Sequence, residues 1–228
     1  MDKSAKNTEL TFLEKIILLS LDDKGWFGNS ELKIKFGLAG GILFELIQKG
    51  RIELKDNMIH LVSSKPTDDI VLDKVLGLIK ASKKQRNLRN WIQRIVYKKL
   101  LLRKALLKNL IDKKVIRREE YTLLMIFYQY KYPVLNTELK KKIQEDLCER
   151  ITTDKKLTDH DLMLLAIMNT CKMVRKNFGG FIQYLKLRSR INLITQFPAD
   201  GTESEKLIKL LQTAIARAIM ASNVSIHT

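Results

Sequence analysis

Arg103 poses the sharpest chemical question in this sequence. Leu100 lies three residues before it, Leu106 three after and Leu107 four after, spacings that gather side chains on one face of a helix. A guanidinium among leucines must reach an anion, because burying an unpaired charge is very costly. Two outcomes are open. Either the charge is settled structurally, by a carboxylate of the chain or by snorkelling to water, or Arg103 forms the floor of an anion pocket. In the second case its planar fork grips phosphate through two parallel hydrogen bonds. Between Lys80 and Arg118 stand fifteen Lys or Arg residues and one acid, Asp112, so thirty-nine of the 228 residues hold +14 of the formal +17. A field this concentrated draws a polyanion: a phospholipid surface, a nucleic acid or a phosphorylated ligand.

The other reactive side chains do not assemble into catalysis. His60, His160 and His227 are scattered, and no His, Cys and carboxylate cluster has metal-ligand spacing. Thr158-Asp159-His160-Asp161 reads as a helix start, a capping hydroxyl with acids at the positive end of the dipole. Asp68-Asp69 opens another helix in the same way. Gly37-Leu38-Ala39-Gly40-Gly41 lacks the Lys-Ser/Thr ending of a phosphate loop and follows no strand, so its glycines suit a close helix approach or a kink. Cys148 and Cys171 are isolated, as free thiols in a reducing cytosol are. The expectation is a non-enzyme with no catalytic residue, no metal and no cofactor. The longest clean apolar run, Leu162 to Met168, is core-sized, and the polar N-terminus is not a signal peptide. Any contact with a membrane is therefore made from the side, by a cytoplasmic and reversibly associated protein.

Helical periodicity runs through most of the chain. A first amphipathic helix follows Thr8 and Thr11, with Phe12, Leu13, Ile16, Ile17 and Leu21, and ends at Asp22-Asp23-Lys24-Gly25. A second spans about 31–49, with Gly50 where a left-handed cap belongs. Alternating residues at 51–54 and 58–62 signal a hairpin. Further helices are expected over 68–82, 87–97, 99–113, 136–151, 159–177, 181–195 and 203–222. Residues 115–131 are rich in β-branched and aromatic types and read as an extended excursion ending at Pro133. The fold class is mainly α, a single globular multi-helix domain over 9–222 with short β-hairpins. Its part 9–62 is winged-helix-like, 121–133 is a protruding hairpin, and 1–8 and 223–228 are flexible termini.

A winged helix in a chain of pI about 9.8 raises a nucleic-acid reading. The would-be recognition helix speaks against sequence-specific binding: it reads LAGGILFELIQ, offers no Arg, Asn or Lys before Gln48 and Lys49, and carries Glu45. The leucines of 99–113 cover nearly its whole circumference, so that helix is expected to be largely buried.

Over about residues 9–222 the pattern resembles the Golgi phosphoprotein 3 family of phosphoinositide-binding peripheral membrane proteins. The matching stretches are Leu10-Thr11-Phe12-Leu13-Glu14, Gly37-Leu38-Ala39-Gly40-Gly41 through Glu45-Leu46 to Gly50-Arg51, Val71-Leu72-Asp73, Asn90-Trp91-Ile92, and Arg103 through Lys108 to Lys113. The resemblance implies a mainly helical globule whose β-hairpin mediates self-association, here with Phe127, Tyr128, Tyr130 and Tyr132 at its interaction tip. A half-buried strand is the other reading of these aromatics. In the Golgi members a Trp and three basic side chains hold phosphatidylinositol 4-phosphate. Ser30, Ala39 and Leu100 stand at the Trp and the first two basic positions, and Arg103 retains the third. Lys99, Lys33, Trp26 and Phe27 lie close enough in sequence to rebuild an anion site of another geometry. Trp26-Phe27, flanked by Gly25 and Gly28, is either an apolar wedge for a bilayer or part of the core.

The expected function is anionic phospholipid binding through the basic surface and an Arg103 pocket, with Lys99, Lys33 and Trp26 assisting. The expected partners are lipid head groups, a membrane surface and, through the hairpin, further copies of the chain. The alternatives are a nucleic-acid-associated winged-helix protein or a scaffold that oligomerises through the aromatic hairpin.

Overall fold

The glycines of the second helix decide how the rest of the chain packs. The computed structural model describes residues 8–28, 31–98, 101–123, 127–153, 156–178, 181–196 and 201–224, with backbone alone at 123, 127–128, 181–184 and 223–224. Helix α1 (Phe12–Ser20) starts in a capping box, Thr11 accepting from the Glu14 amide while the Glu14 carboxylate accepts from the Thr11 amide. Helix α2 (Glu31–Gln48) follows and buries Ile34, Leu46 and every residue from Phe36 to Phe44. A Cβ on Gly37 would lie 2.7 Å from Cys171 Sγ, one on Gly40 2.4 Å from Ile215 Cδ1, and one on Gly41 3.0 Å from Ile16 Cδ1. Three neighbouring helices thus touch the α2 backbone where side chains are missing. The close-approach reading of these glycines holds.

Gly50, at φ +61°, closes α2. Strands β1 (Ile52–Lys55) and β2 (Met58–Leu61) then pair antiparallel, Ile52 opposite Leu61. Helices α3 (Ile70–Lys80), capped by Asp69, and α4 (Leu88–Tyr97), capped by Asn87, lie against α2. Helix α5 (Leu102–Asp112) packs on α1 and α3. Strands β3 (Glu119–Leu123) and β4 (Phe127–Lys131) form the second hairpin, Glu119 opposite Lys131. The remainder is helical: α6 (Thr137–Thr152), α7 (Asp159–Thr170), α8 (Val174–Asn177), α9 (Phe181–Ile194) and α10 (Glu203–Val224). One hydrophobic core runs from Leu10 to Ile219. The fold is mainly helical with two small antiparallel strand pairs, as expected. Most of the residues read as flexible termini fall outside the described ones.

Two boundaries differ from the sequence reading. The helix expected over 159–177 breaks, because Lys172 turns left-handed at φ +58°. The break aims α8 at the end of α1. Asn177 Nδ2 donates to the Leu19 carbonyl at 2.9 Å, Lys176 Nζ to that of Ser20, and Lys140 Nζ, from α6, to that of Leu21 at 2.9 Å. Two ammonium groups thereby sit at the negative end of a helix dipole. Burial and the neighbouring Lys140 charge push the Lys176 amine down to about 8. The helix expected over 99–113 begins only at Leu102, since Leu101 takes φ +53° and is 62% exposed. Its buried face is narrower than a leucine circumference implied, comprising Leu102, Leu106, Leu107 and Leu110.

The order α1, α2, β1–β2 is that of the winged-helix-like part, but α2 lies inside the core. An interior helix cannot enter a nucleic-acid groove. Thr158 caps α7 in a capping box with Asp161, so that cluster does begin a helix. His160 Nε2 meets Glu45 Oε1 at 2.6 Å, and its ring sits edge-on to Phe12 and Phe44. Cys171 is buried, which pushes its thiol up to about 12, and it donates to the Lys33 carbonyl at 3.2 Å.

A backbone hydrogen bond ties the loop 21–28 to the end of the second hairpin. Tyr132 N–H donates to the Gly25 carbonyl at 2.8 Å, and a Cβ on Gly25, at φ +84°, would lie 2.4 Å from Pro133 N. Gly28 also has positive φ, +61°, but nothing lies within 4 Å of its Cβ position. Gly28→Ala should therefore cost about 1 kcal/mol, the left-handed penalty alone. Gly25→Ala should cost roughly 3 kcal/mol or more, because backbone must also move. Urea unfolding of the two variants checks this, and equal losses would remove the close-approach argument.

Candidate functional site

Helix α5 turns two unlike faces to its surroundings. The leucines at 102, 106, 107 and 110 enter the core, while Lys104 and Lys108, four residues apart, are exposed. Its register is held by Lys113 at the C-cap, whose Nζ donates at 2.6 Å to Glu14, a carboxylate buried in α1. Across from Lys104 and Lys108 stand Lys74 of α3 and Arg118, which precedes β3. Together with Arg103 these cations line a cleft of about 760 Å³, and among the described residues no carboxylate lies on its walls. Tyr130 and Tyr132 close one side. The Arg118 guanidinium lies 4.0 Å from the Tyr130 ring centroid, which orients that charge by cation–π attraction. Lys108 also pairs with Asp112 at 2.5 Å in solvent, a contact worth little.

Arg103 stands at the junction of three cavities. Its Nη1 donates to Glu31 Oε1 at 2.5 Å, and its guanidinium carbon lies 4.7 Å from the Phe27 ring centroid. The structural ion pair is present, therefore, and the guanidinium is also accessible, with 30% of the side chain exposed. Burial alone would raise the Glu31 carboxyl. The Arg103 hydrogen bond and the positive charges of Arg103 and Lys35 outweigh it and hold the group below its ordinary value.

Trp26 does not join the core with Phe27. It is half-buried, edge-on to Tyr121 at 5.7 Å, and lines a cavity of about 480 Å³ with Arg103, Glu31, Tyr130 and Tyr132. Phe27 is buried against Tyr132. The loop is held by Asp22, whose Oδ1 accepts from the Trp26 amide at 2.8 Å. Lys33 is placed elsewhere: its carbonyl faces Cys171 of α7, and it lines none of the Arg103 cavities. Lys99, Ser30 and Leu100 lie outside the described residues, and for Phe127 and Tyr128 only the strand backbone is described. Tyr130 and Tyr132, expected at an interaction tip, line the cleft. Lys35 and Lys74 line these cavities without having been singled out in the sequence, whereas Lys104, Lys108 and Arg118 belong to its basic block. Lys104 and Lys108 also had a signal in their helical spacing; Lys74 had none.

The comparisons with known proteins agree with this architecture. The family model described as Golgi phosphoprotein 3 matches residues 13–221. Vacuolar protein sorting-associated protein 74 of Schizosaccharomyces pombe is 27% identical over 170 residues, which cover 65% of this chain and 50% of the relative. The chain thus spans about half the length of that curated relative.

The Glu31 carboxyl titrates lower in the folded chain than its ordinary 4.5. Its pairing with Arg103 thus stabilises the fold fully above that value and is lost as the pH falls through the lower, folded one. Because Glu31 is 46% exposed, the contribution is below about 1 kcal/mol. Glu31→Gln should therefore be slightly less stable than the parent at neutral pH and indistinguishable from it in acid. Urea midpoints for both proteins across pH measure this; a gap independent of pH would show that Glu31 does not act as a charge.

Proposed function

The chain belongs to the Golgi phosphoprotein 3 family, and on that premise we propose that it is a peripheral membrane protein that binds anionic phospholipid head groups in the α3–α5–hairpin cleft. The observation that carries this reading is the cleft's composition: Lys74, Arg103, Lys104, Lys108 and Arg118, with no acid on the walls among the described residues. At about 1 kcal/mol for each Lys or Arg beside an anionic leaflet, five cations supply roughly 5 kcal/mol. That is reversible binding, and it weakens with salt. Arg103 makes the most directed phosphate contact, since its remaining donors are free of Glu31 in geometry if not in charge. Trp26 and Tyr130 flank the cleft with amphipathic rings, the type found at membrane interfaces. Among the described residues no helix is long and apolar enough to cross a membrane. The role is non-enzymatic and the protein cytoplasmic when released. Self-association through the β3–β4 hairpin belongs to the same proposal, supported by the exposed Tyr121 and Tyr130 rings on its strands.

Co-sedimentation with neutral vesicles, with and without a phosphatidylinositol phosphate, tests the reading. Binding should require the anionic lipid and fall more than roughly tenfold in Lys104→Glu/Lys108→Glu, which reverses two cleft charges. Undiminished binding of that double variant would overturn the cleft as the site. A duplex or single-stranded DNA that binds more tightly than the vesicles at equal salt would favour the nucleic-acid alternative.

A further inference from the structure

Beside the basic cleft lies a second, narrower cavity of about 310 Å³ between α2, α4 and α5. Leu38, Ala39, Ile95, Val96, Leu101 and Leu102 form its apolar walls, and its other lining residues are three cations, Lys35, Arg103 and Lys104. It shares Leu101, Arg103 and Lys104 with the cleft. The two spaces are therefore neighbours across one short stretch at the start of α5. That stretch opens with Leu101, left-handed and 62% exposed.

The chemistry of the slot selects its occupant. A volume of about 310 Å³ is at the small end of ligand sites. A nucleobase or a peptide inserted here would bring polar groups that the six apolar walls cannot satisfy, at a cost of several hydrogen bonds. An alkyl chain brings none. Ala39, the shortest of the lining side chains, leaves room in the slot. The cations are arranged for an amphiphile, an anion at Arg103 and Lys104 with hydrocarbon continuing between the helices. We propose that the slot receives an acyl chain of the same anionic lipid whose phosphate the cleft holds, so that the protein draws one chain out of the leaflet when it docks. This rests on the lipid reading above and adds to it a site for the tail.

Monoalkyl phosphates of increasing chain length, each below its micelle concentration, separate tail from head. Affinity for the parent protein should rise with chain length, by up to about fourfold per methylene, the transfer value of a buried CH2, and level off when the slot is full. Val96→Phe, which narrows the slot, should abolish that rise while leaving butyl phosphate binding as it was; circular dichroism confirms its folding. If that variant does not fold, Lys35→Trp places the block at an exposed position. Lys104→Glu should weaken every member of the series alike. Equal affinity for short and long chains would sink the slot proposal and leave the head-group reading intact. A rise that persists in both blocked variants would sink it too. Chain-length dependence that Val96→Phe removes, in a protein indifferent to Lys104→Glu, would retain the slot and discard the phosphate cleft.

Discussion

Helix α2 has no solvent side over most of its length, and the glycines at 37, 40 and 41 make that arrangement possible. Each admits a different neighbour to backbone contact: α7 through Cys171, α10 through Ile215 and α1 through Ile16 and Phe12. Packed interiors transmit displacement because they contain few voids, so α2 acts as a fixed axis. The functional consequence lies at its N-terminal half. Glu31, Lys35, Leu38 and Ala39 reach the Arg103 cavities from this closely packed element, facing α4 and α5 in one cavity and the loop 26–28 with the second hairpin in the other.

Arg103 occupies both of the roles that a guanidinium among leucines can take. Its pair with Glu31 is about half exposed on the acid side, and pairs of that kind contribute below about 1 kcal/mol. The fork has five N–H donors, and the Glu31 contact uses one, so a phosphate in the cleft need not displace Glu31. The guanidinium also packs against Phe27. The Glu31 contact restricts the side chain in the free protein, which on the lipid proposal lowers the ordering cost of binding.

The helices were legible because their signals are local: caps at Thr11, Asn136 and Thr158, a glycine after α2, and apolar spacing throughout. The missed boundaries sit at Leu101 and Lys172, where non-glycine residues take left-handed backbone. Composition does not mark such positions; tertiary packing imposes them, here to turn α5 back from α4 and to aim α8 at the end of α1. Of the cations that line the cleft, Arg103, Lys104, Lys108 and Arg118 belong to the basic block visible in the sequence, whereas Lys74 comes from a separate helix and had no local signal. Two residues on a helix are turned by about 200°, so Lys33 and Lys35 do not share a face, and of the two it is Lys35 that lines the slot beside Arg103. Helical phase, more than nearness in sequence, decides which lysine stands there.

The basic block that dominates the sequence does not map onto the cleft as a block. Of its fifteen cations, Arg103, Lys104, Lys108 and Arg118 line the cleft, and the fifth wall charge, Lys74, comes from outside it. Lys83, Lys84, Arg89 and Lys98 are exposed elsewhere on the surface. At physiological salt a charge acts over about 8 Å, so these outlying groups cannot hold a head group in the cleft. They raise the local potential that brings an anionic surface near, a rate effect indifferent to the identity of the polyanion. Selectivity must come from features such a field lacks. Those are the absence of acids among the described residues of the cleft wall, a guanidinium packed against Phe27, and an adjoining apolar slot. On the lipid proposal, an anion with hydrocarbon attached uses all three.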